Sequence, residues 1–530
     1  MDNCGISFGN DLKSSPKAIQ SLYIIHWQAH TAREMAICLH PFKHKVLKLG
    51  VRWNIISFEY VFNMLGAYQG DFGNMGTKRL SKDFTKGNIS KQLLWLMLPF
   101  MASNALQVLY STIDMMVVGE YVGTPGLSAV SQSSQILNFA TMVCLGFSNA
   151  GQVLIAQALG AGKRKEQNQI IGTLFSFITI LSIILSVVFI GGQNWIMDVM
   201  HIPGESREFA LDYLVICGIG MVFTAGYNMV SAVLRGMGDA KRPFLFIGIA
   251  TAVNLALDLL FVGVFHWEVA GAAWATIIGQ AVSFIFSLVY LYRHKESFGF
   301  DFKKESFAIN PRYVKMIAQL GTPMAIQAGC INLSMLFVNS MINGVGVVAS
   351  ATFGVGIRID DIINKISQGI HYAAMPMISQ NVAAKEPKRA TKVVHWAWIY
   401  SGILTVVAMA AYVLFGKQLF MVFSDDPLVH EMSRDFIRAI LYMFPALAVM
   451  RGSSAFIQGI GNAKLSLVLA LLDGVVLRIG LSWLLGIVLN WEFFGFVLGY
   501  GLAAYGCAVP GMIFFLSGVW KKQKVLADDI

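Results

Sequence analysis

Leu234-Arg235-Gly236-Met237-Gly238-Asp239-Ala240-Lys241 returns about 223 residues later as Ile457-Gln458-Gly459-Ile460-Gly461-Asn462-Ala463-Lys464. The echo continues outward at nearly the same offset. Leu98-Pro99 through Asp114 to Leu154-Ile155-Ala156-Gln157, closing on Gly162-Lys163-Arg164-Lys165, is matched by Thr322-Pro323 through Asn339 to Ile378-Ser379-Gln380, closing on Lys385-Glu386-Pro387-Lys388-Arg389. A repeat this long in a strongly apolar chain predicts two homologous bundles in a membrane, and such repeats enclose substrate and ion sites between or inside them.

Apolar residues make up 56% of the chain, charged residues 13%, and the mean hydropathy is +0.60. A soluble domain carries about 25% charged residues, so this chain is suited to lipid. The net charge of +10 sits in short loops between apolar runs, which excludes a nucleic-acid partner from the reading. The six cysteines, Cys4, Cys38, Cys144, Cys217, Cys330 and Cys507, form no Cys-x-x-Cys pair and read as small packed hydrophobes. Gly-x-x-x-x-Gly-Lys-[Ser/Thr] is absent, so the energy for transport is expected from an ion gradient, with no cofactor.

Apolar segments of spanning length are predicted at about 92–119, 124–148, 167–192, 207–234, 242–265 and 268–292, and again at about 312–344, 348–382, 391–416, 429–458, 464–489 and 493–519. The fold expected is an all-α integral membrane protein of twelve helices, in two six-helix bundles related by a parallel repeat. Residues 1–85 lack a spanning run and are expected to be a disordered cytoplasmic extension, with Met75 opening a normal start and residues 1–74 dispensable. The bundles are expected at 86–297 and 312–520, with a cytoplasmic linker at 298–311 and a tail at 521–530. Lys and Arg concentrate in alternate loops, such as Lys163-Arg164-Lys165 and Lys521-Lys522. The other loops carry acids such as Glu205, Asp425 and Asp426. The positive-inside rule then puts both termini in the cytoplasm of a cell-membrane protein, read here as a monomer.

Ionisable residues inside spans cost about 2.5–3.5 kcal/mol on insertion scales and mark function by default. Asp114 on the first helix, Asp258 on the fifth, Asn254 one turn before it, and Thr276 on the sixth lie at one depth. Such hard oxygens coordinate a small cation or share a proton. Pro99 removes a backbone hydrogen bond from the first helix and is a candidate bend. The second bundle has Asn339 where Asp114 would be and Leu481 near the place of Asp258, so coupling is expected in the first bundle alone. Arg358 and Asp361, at i and i+3, are expected to pair or, with Asn339, to wall the substrate cavity.

Pro99…Asp114, Leu154-Ile155-Ala156-Gln157-Ala158-Leu159-Gly160-Ala161-Gly162, Leu234-Arg235-Gly236-Met237-Gly238-Asp239 and Asn254…Asp258…Gly271-Ala272-Ala273…Thr276 resemble the multidrug and toxic compound extrusion (MATE) family. Leu257-Asp258, with Arg358-Ile359-Asp360 and Ser379-Gln380-Asn381, is more similar to its DinF-like than its NorM-like branch, and the resemblance covers about residues 85–520. It implies an antiporter that exports cationic or amphipathic organic compounds in exchange for Na⁺ or H⁺, with a cation site at Asp114, Asn228, Asn254, Asp258 and Thr276. Na⁺ is the one metal implied. Cys330 stands near the place of the NorM-like seventh-helix acid, and Gly480-Leu481-Ser482 follows Arg478 where a proline is expected. The same superfamily offers an alternative, a lipid-linked oligosaccharide flippase, which carries about two further helices and a more cationic cavity. No reactive constellation of a membrane enzyme is visible.

Overall fold

The computed structural model describes residues 82–200, 202, 204–523 and 525–530. The expected N-terminal extension therefore lies outside the described residues except for its last four.

The described chain is helical, and each span follows from local signals. Asn88 caps span 1 (Ile89–Tyr121) by accepting from the Lys91 amide, and Asn310 caps span 7 (Pro311–Asn343) by accepting from Arg312, with Pro311 at the first helical position. Span 2 is Thr124–Gly160, span 3 Arg164–Val199, span 5 Lys241–Val264 and span 6 Glu268–Arg293. Spans 9, 11 and 12 are Pro387–Met421, Ala463–Val488 and Glu492–Ser517. Spans 4 and 10 are bent pairs, Gly204–Ile219 with Met221–Gly236 and Pro427–Ile440 with Met443–Gly459, each broken by 49°. Span 8, Val347–Ala383, is as long as the others but holds Arg358, Asp360, Asp361 and Lys365 within two turns. That makes twelve spans among the described residues.

The repeat is written into the backbone. Gly238 and Gly461, the second glycines of the two echoed motifs, have φ of +83° and +81°. A left-handed residue there turns the chain sharply after spans 4 and 10, which glycine does without strain. Gly162 and its counterpart Lys385 share the same geometry, at +74° and +59°. The turn has survived the loss of its glycine.

The two bundles meet at the end that carries the basic turns. Asn104 Nδ2 donates to the Lys365 carbonyl at 2.7 Å, Gln157 Nε2 to the Gly459 carbonyl at 2.9 Å, and the Phe84 amide to Gln380 Oε1 at 3.0 Å. Gly160 closes the seam: a Cβ there would sit 2.3 Å from the Gln380 carbonyl oxygen. Gly160→Ala is expected to cost about 1–3 kcal/mol, the usual penalty of overpacking, read as a lower unfolding midpoint of the detergent-solubilised protein. Toward the acidic end Ser111, Thr112, Asn332, Asn339, Arg358 and Asp361 are exposed, polar side chains that fit a cleft between the bundles, closed at the basic end and opening at the acidic end.

The linker is pinned rather than loose. Phe300 and Phe307 pack on Phe175 of span 3 with ring centroids 5.8 and 5.9 Å away, and Ser176 Oγ donates to the Phe307 carbonyl at 2.7 Å.

Candidate functional site

Asp114 lies about seven residues before the acidic end of span 1, Asp258 about six before the end of span 5, and Thr276 about eight into span 6. At 1.5 Å per residue all three sit ~9–12 Å below that end. Asp258 is fully buried, Asn254 is 3% exposed and Asp114 6%. Asn254 Nδ2 donates to Thr276 Oγ1 at 3.4 Å, and the Tyr110 hydroxyl donates to the same oxygen at 3.5 Å. The Thr276 hydroxyl proton and Asn254 Oδ1 are thus left for another partner. Asp114 Oδ1 and both oxygens of Asp258 are buried without a hydrogen-bond partner, and the two carboxyls are within electrostatic reach of each other. Such oxygens are costly to leave unpaired, so the donor set suits a proton or a small hard cation.

The backbone contributes as well. Directly after Asp258 the helix widens into a π-segment, Leu259–Val264, a distortion found often at functional sites. Tyr110, Asn254, Thr276, Thr251 and Gln280 line a crevice with no room for a water molecule, so a substrate must sit elsewhere. Asn228 is not part of its lining, because its amide donates to the Thr224 carbonyl of its own helix at 3.0 Å. Tyr110, Tyr213 and Cys217 lie within electrostatic reach of Asp114, and nothing in their sequence pattern marks them out.

In the second bundle the expected Arg358–Asp361 pair does not form. Asp361 pairs with Lys365 one turn on, at 3.3 Å, and Arg358 is exposed. Spacing at i and i+3 only permits a contact, and i, i+4 won it. The buried pair is Arg478 with Asp473, at 3.0 Å, with the guanidinium 4.8 Å over the Tyr500 ring. Asp360, 1% exposed, accepts from Asn364 Nδ2 at 2.8 Å and from the Tyr500 hydroxyl at 3.4 Å. Asn364 Oδ1 in turn accepts from Arg451 at 2.6 Å. Two acids and two arginines therefore balance one another here. The first bundle's two acids have no such partner among the described ion pairs.

Asn339 is exposed on span 7, and Arg358 and Asp361 on span 8. Pro99 sits inside a continuous span 1, and Ser103 Oγ donates to the Pro99 carbonyl at 2.8 Å. Back-bonding of this kind bends helices, so span 1 has two softening features at one turn.

The MatE family model matches residues 99–260 and 323–484, one match per bundle. The chain is 30% identical to the probable multidrug resistance protein YpnP of Bacillus subtilis, over 84% of this chain and 99% of that one. It is 25% identical to the probable multidrug resistance protein NorM of Thermotoga maritima, over 83% and 95%. Among solved structures, a multidrug resistance MATE family transporter in its outward-facing conformation superposes with a TM-score of 0.78 at 21% identity, covering 85% of this chain and all of that one. A transporter of the same superfamily from Pyrococcus furiosus gives 0.79 at 20% identity, covering 85% and 100%. These likenesses support the two-bundle fold and do not distinguish a branch within the family.

Proposed function

This chain belongs to the MATE family, and on that premise we propose that it is a secondary antiporter that expels organic compounds in exchange for Na⁺ or H⁺ bound between Asp114 and Asp258. The observation that carries the reading is the set of three buried carboxylate oxygens without a hydrogen-bond partner, on two acids that form no ion pair among the described residues. A proton or Na⁺ arriving there removes the cost of burial. It also lets span 1 bend near Pro99, which narrows the cleft and expels the substrate. Return of span 1 requires release of the ion, so the two cargoes exclude each other. The second bundle supports a single coupling site, because its buried charges are already balanced by Arg451 and Arg478. Twelve spans also fit an exporter better than a flippase with two more. Basic turns gathered at one end favour a cell-membrane protein with that end in the cytoplasm.

The test is dye efflux in inverted vesicles, with the Na⁺ gradient and the pH gradient collapsed separately. Efflux should stop when one of them is removed, and efflux that survives the loss of both would refute gradient coupling. Asn339→Ala, an exposed change away from the carboxylates, should alter the rate by no more than about twofold, as expected of a change worth ~0.5 kcal/mol.

A further inference from the structure

The exposed charges of span 8 lie on one face. Arg358, Asp361, Lys365, Gly369 and Tyr372 follow one another at three- and four-residue steps. At its basic end that face touches the first bundle: the Lys365 carbonyl accepts from Asn104, Gly369 lies against Met101, and Tyr372 stacks under Arg235 at 4.8 Å. The same face therefore looks into the cleft where the bundles part, at Asp361 and Arg358. Three charges turned to lipid would cost several kcal/mol, so a cleft-facing stripe is also the energetically sound arrangement.

The charge of that cleft is lopsided. Between them, span 2 (Thr124–Gly160) and span 7 from Gly321 to Asn343 carry no charged residue, and span 1 from Pro99 to Gly119 carries only Asp114, buried in the first bundle. On span 8, Asp360 is buried in the second bundle and Asp361 is tied to Lys365 at 3.3 Å, which leaves Arg358 without an ion pair among the described residues. At the closed floor, Arg235 is 7% exposed and donates only to neutral groups, Gln152 Oε1 at 2.8 Å and Asn149 Oδ1 at 3.2 Å. It forms no ion pair among the described residues. Its counterpart in the second repeat is the neutral Gln458. A guanidinium held by amides and one aromatic face keeps spare planar donors, the geometry that carboxylates and sulfonates match.

We propose that the cleft binds amphipathic organic anions, with Arg358 on its wall receiving the acidic group, Arg235 about 21 Å deeper along span 8 adding positive charge at the floor, and the apolar faces of spans 1 and 7 receiving the rest. The one acid of the span 8 stripe, Asp361, is shared with Lys365. The proposal rests on the exporter reading and narrows its substrate class from cationic or amphipathic compounds to anionic ones.

Binding to the purified full chain in detergent, without any gradient, separates this claim from ion coupling. Fluorescein and rhodamine 123 share a xanthene frame and carry opposite charge, and fluorescence polarisation reports both. Fluorescein should bind at least about tenfold more tightly than rhodamine 123. Arg358→Gln should weaken fluorescein about tenfold, the scale of one charge-assisted contact, and leave rhodamine 123 unweakened. Lys365→Gln should release Asp361 and shift preference toward rhodamine 123. Arg235→Gln, four turns away along span 8, should weaken fluorescein less than Arg358→Gln does. If burial makes that variant fail to fold, the exposed Arg358→Gln change still decides. Tighter binding of rhodamine 123 by the parental protein, or fluorescein binding indifferent to Arg358→Gln, overturns the proposal. Either result leaves the antiport reading to its own efflux test.

Discussion

Asp258→Asn is expected to insert and fold normally and to lose gradient-driven efflux to background, and Asp114→Asn should do the same. The amide keeps the size of the carboxylate but can neither take up a proton nor supply the negative charge that holds Na⁺. Both oxygens of Asp258 are buried without a partner, so the neutral variant also removes a desolvation cost of about 1–3 kcal/mol. The unfolding midpoint should therefore stay level or rise while transport disappears. A carboxylate kept for structure would give the opposite pattern, with a lower midpoint. Binding of dye in the cleft should persist, because the crevice and the cleft are separate spaces. The measurements are efflux in vesicles at matched expression and thermal unfolding in detergent. Asp258→Asn pumping at the parental rate would place the coupling site elsewhere.

Much of this architecture is legible in the amino-acid sequence, for a physical reason. Spanning helices must be long and apolar, so their number and spacing follow from hydropathy. A carboxylate inside one is conspicuous, which is how Asp114 and Asp258 stand out. The echo of Gly238 at Gly461 marks the same left-handed turn in both halves. The sequence is silent where the contribution is neutral or distorted. Tyr110, Tyr213 and Cys217 look like ordinary span residues, and only folding puts them within reach of Asp114. The eighth span is expected at about 348–382 despite its charges, but why it tolerates them is not legible until its stripe is seen to face the cleft. Spacing points to the wrong ion pair in the second bundle because helical spacing rules assume an α-helix. Arg358 and Asp361 satisfy them; Asp473 and Arg478, five residues apart, do not. Leu472–Leu477 is a π-segment, in which the i to i+5 bonding pattern brings residues five apart onto one side.

That same distortion makes Arg478→Ala the most damaging single change expected in the second bundle. Arg478 and Asp473 are 8% and 3% exposed and 3.0 Å apart, and Arg478 also lies over Tyr500, which donates to Asp360. Removing the guanidinium strands Asp473 in the interior and takes away a charge that helps to answer Asp360. Breaking a buried pair from one side typically costs about 3–5 kcal/mol, whereas removing both partners is far milder. Arg478→Ala should therefore lower the unfolding midpoint steeply, and Asp473→Ala/Arg478→Ala should recover a large part of the loss. Arg358→Ala, by contrast, should be nearly neutral for stability, since that residue is exposed and Asp361 is held by Lys365. Thermal unfolding of the parental protein, these three variants and Asp473→Ala alone, followed by size-exclusion recovery after heating, reads all these effects. Additive losses at Asp473 and Arg478 would mean that the two do not act as a pair. The second bundle would then need another source of the charge balance that lets the first one carry the coupling ion alone.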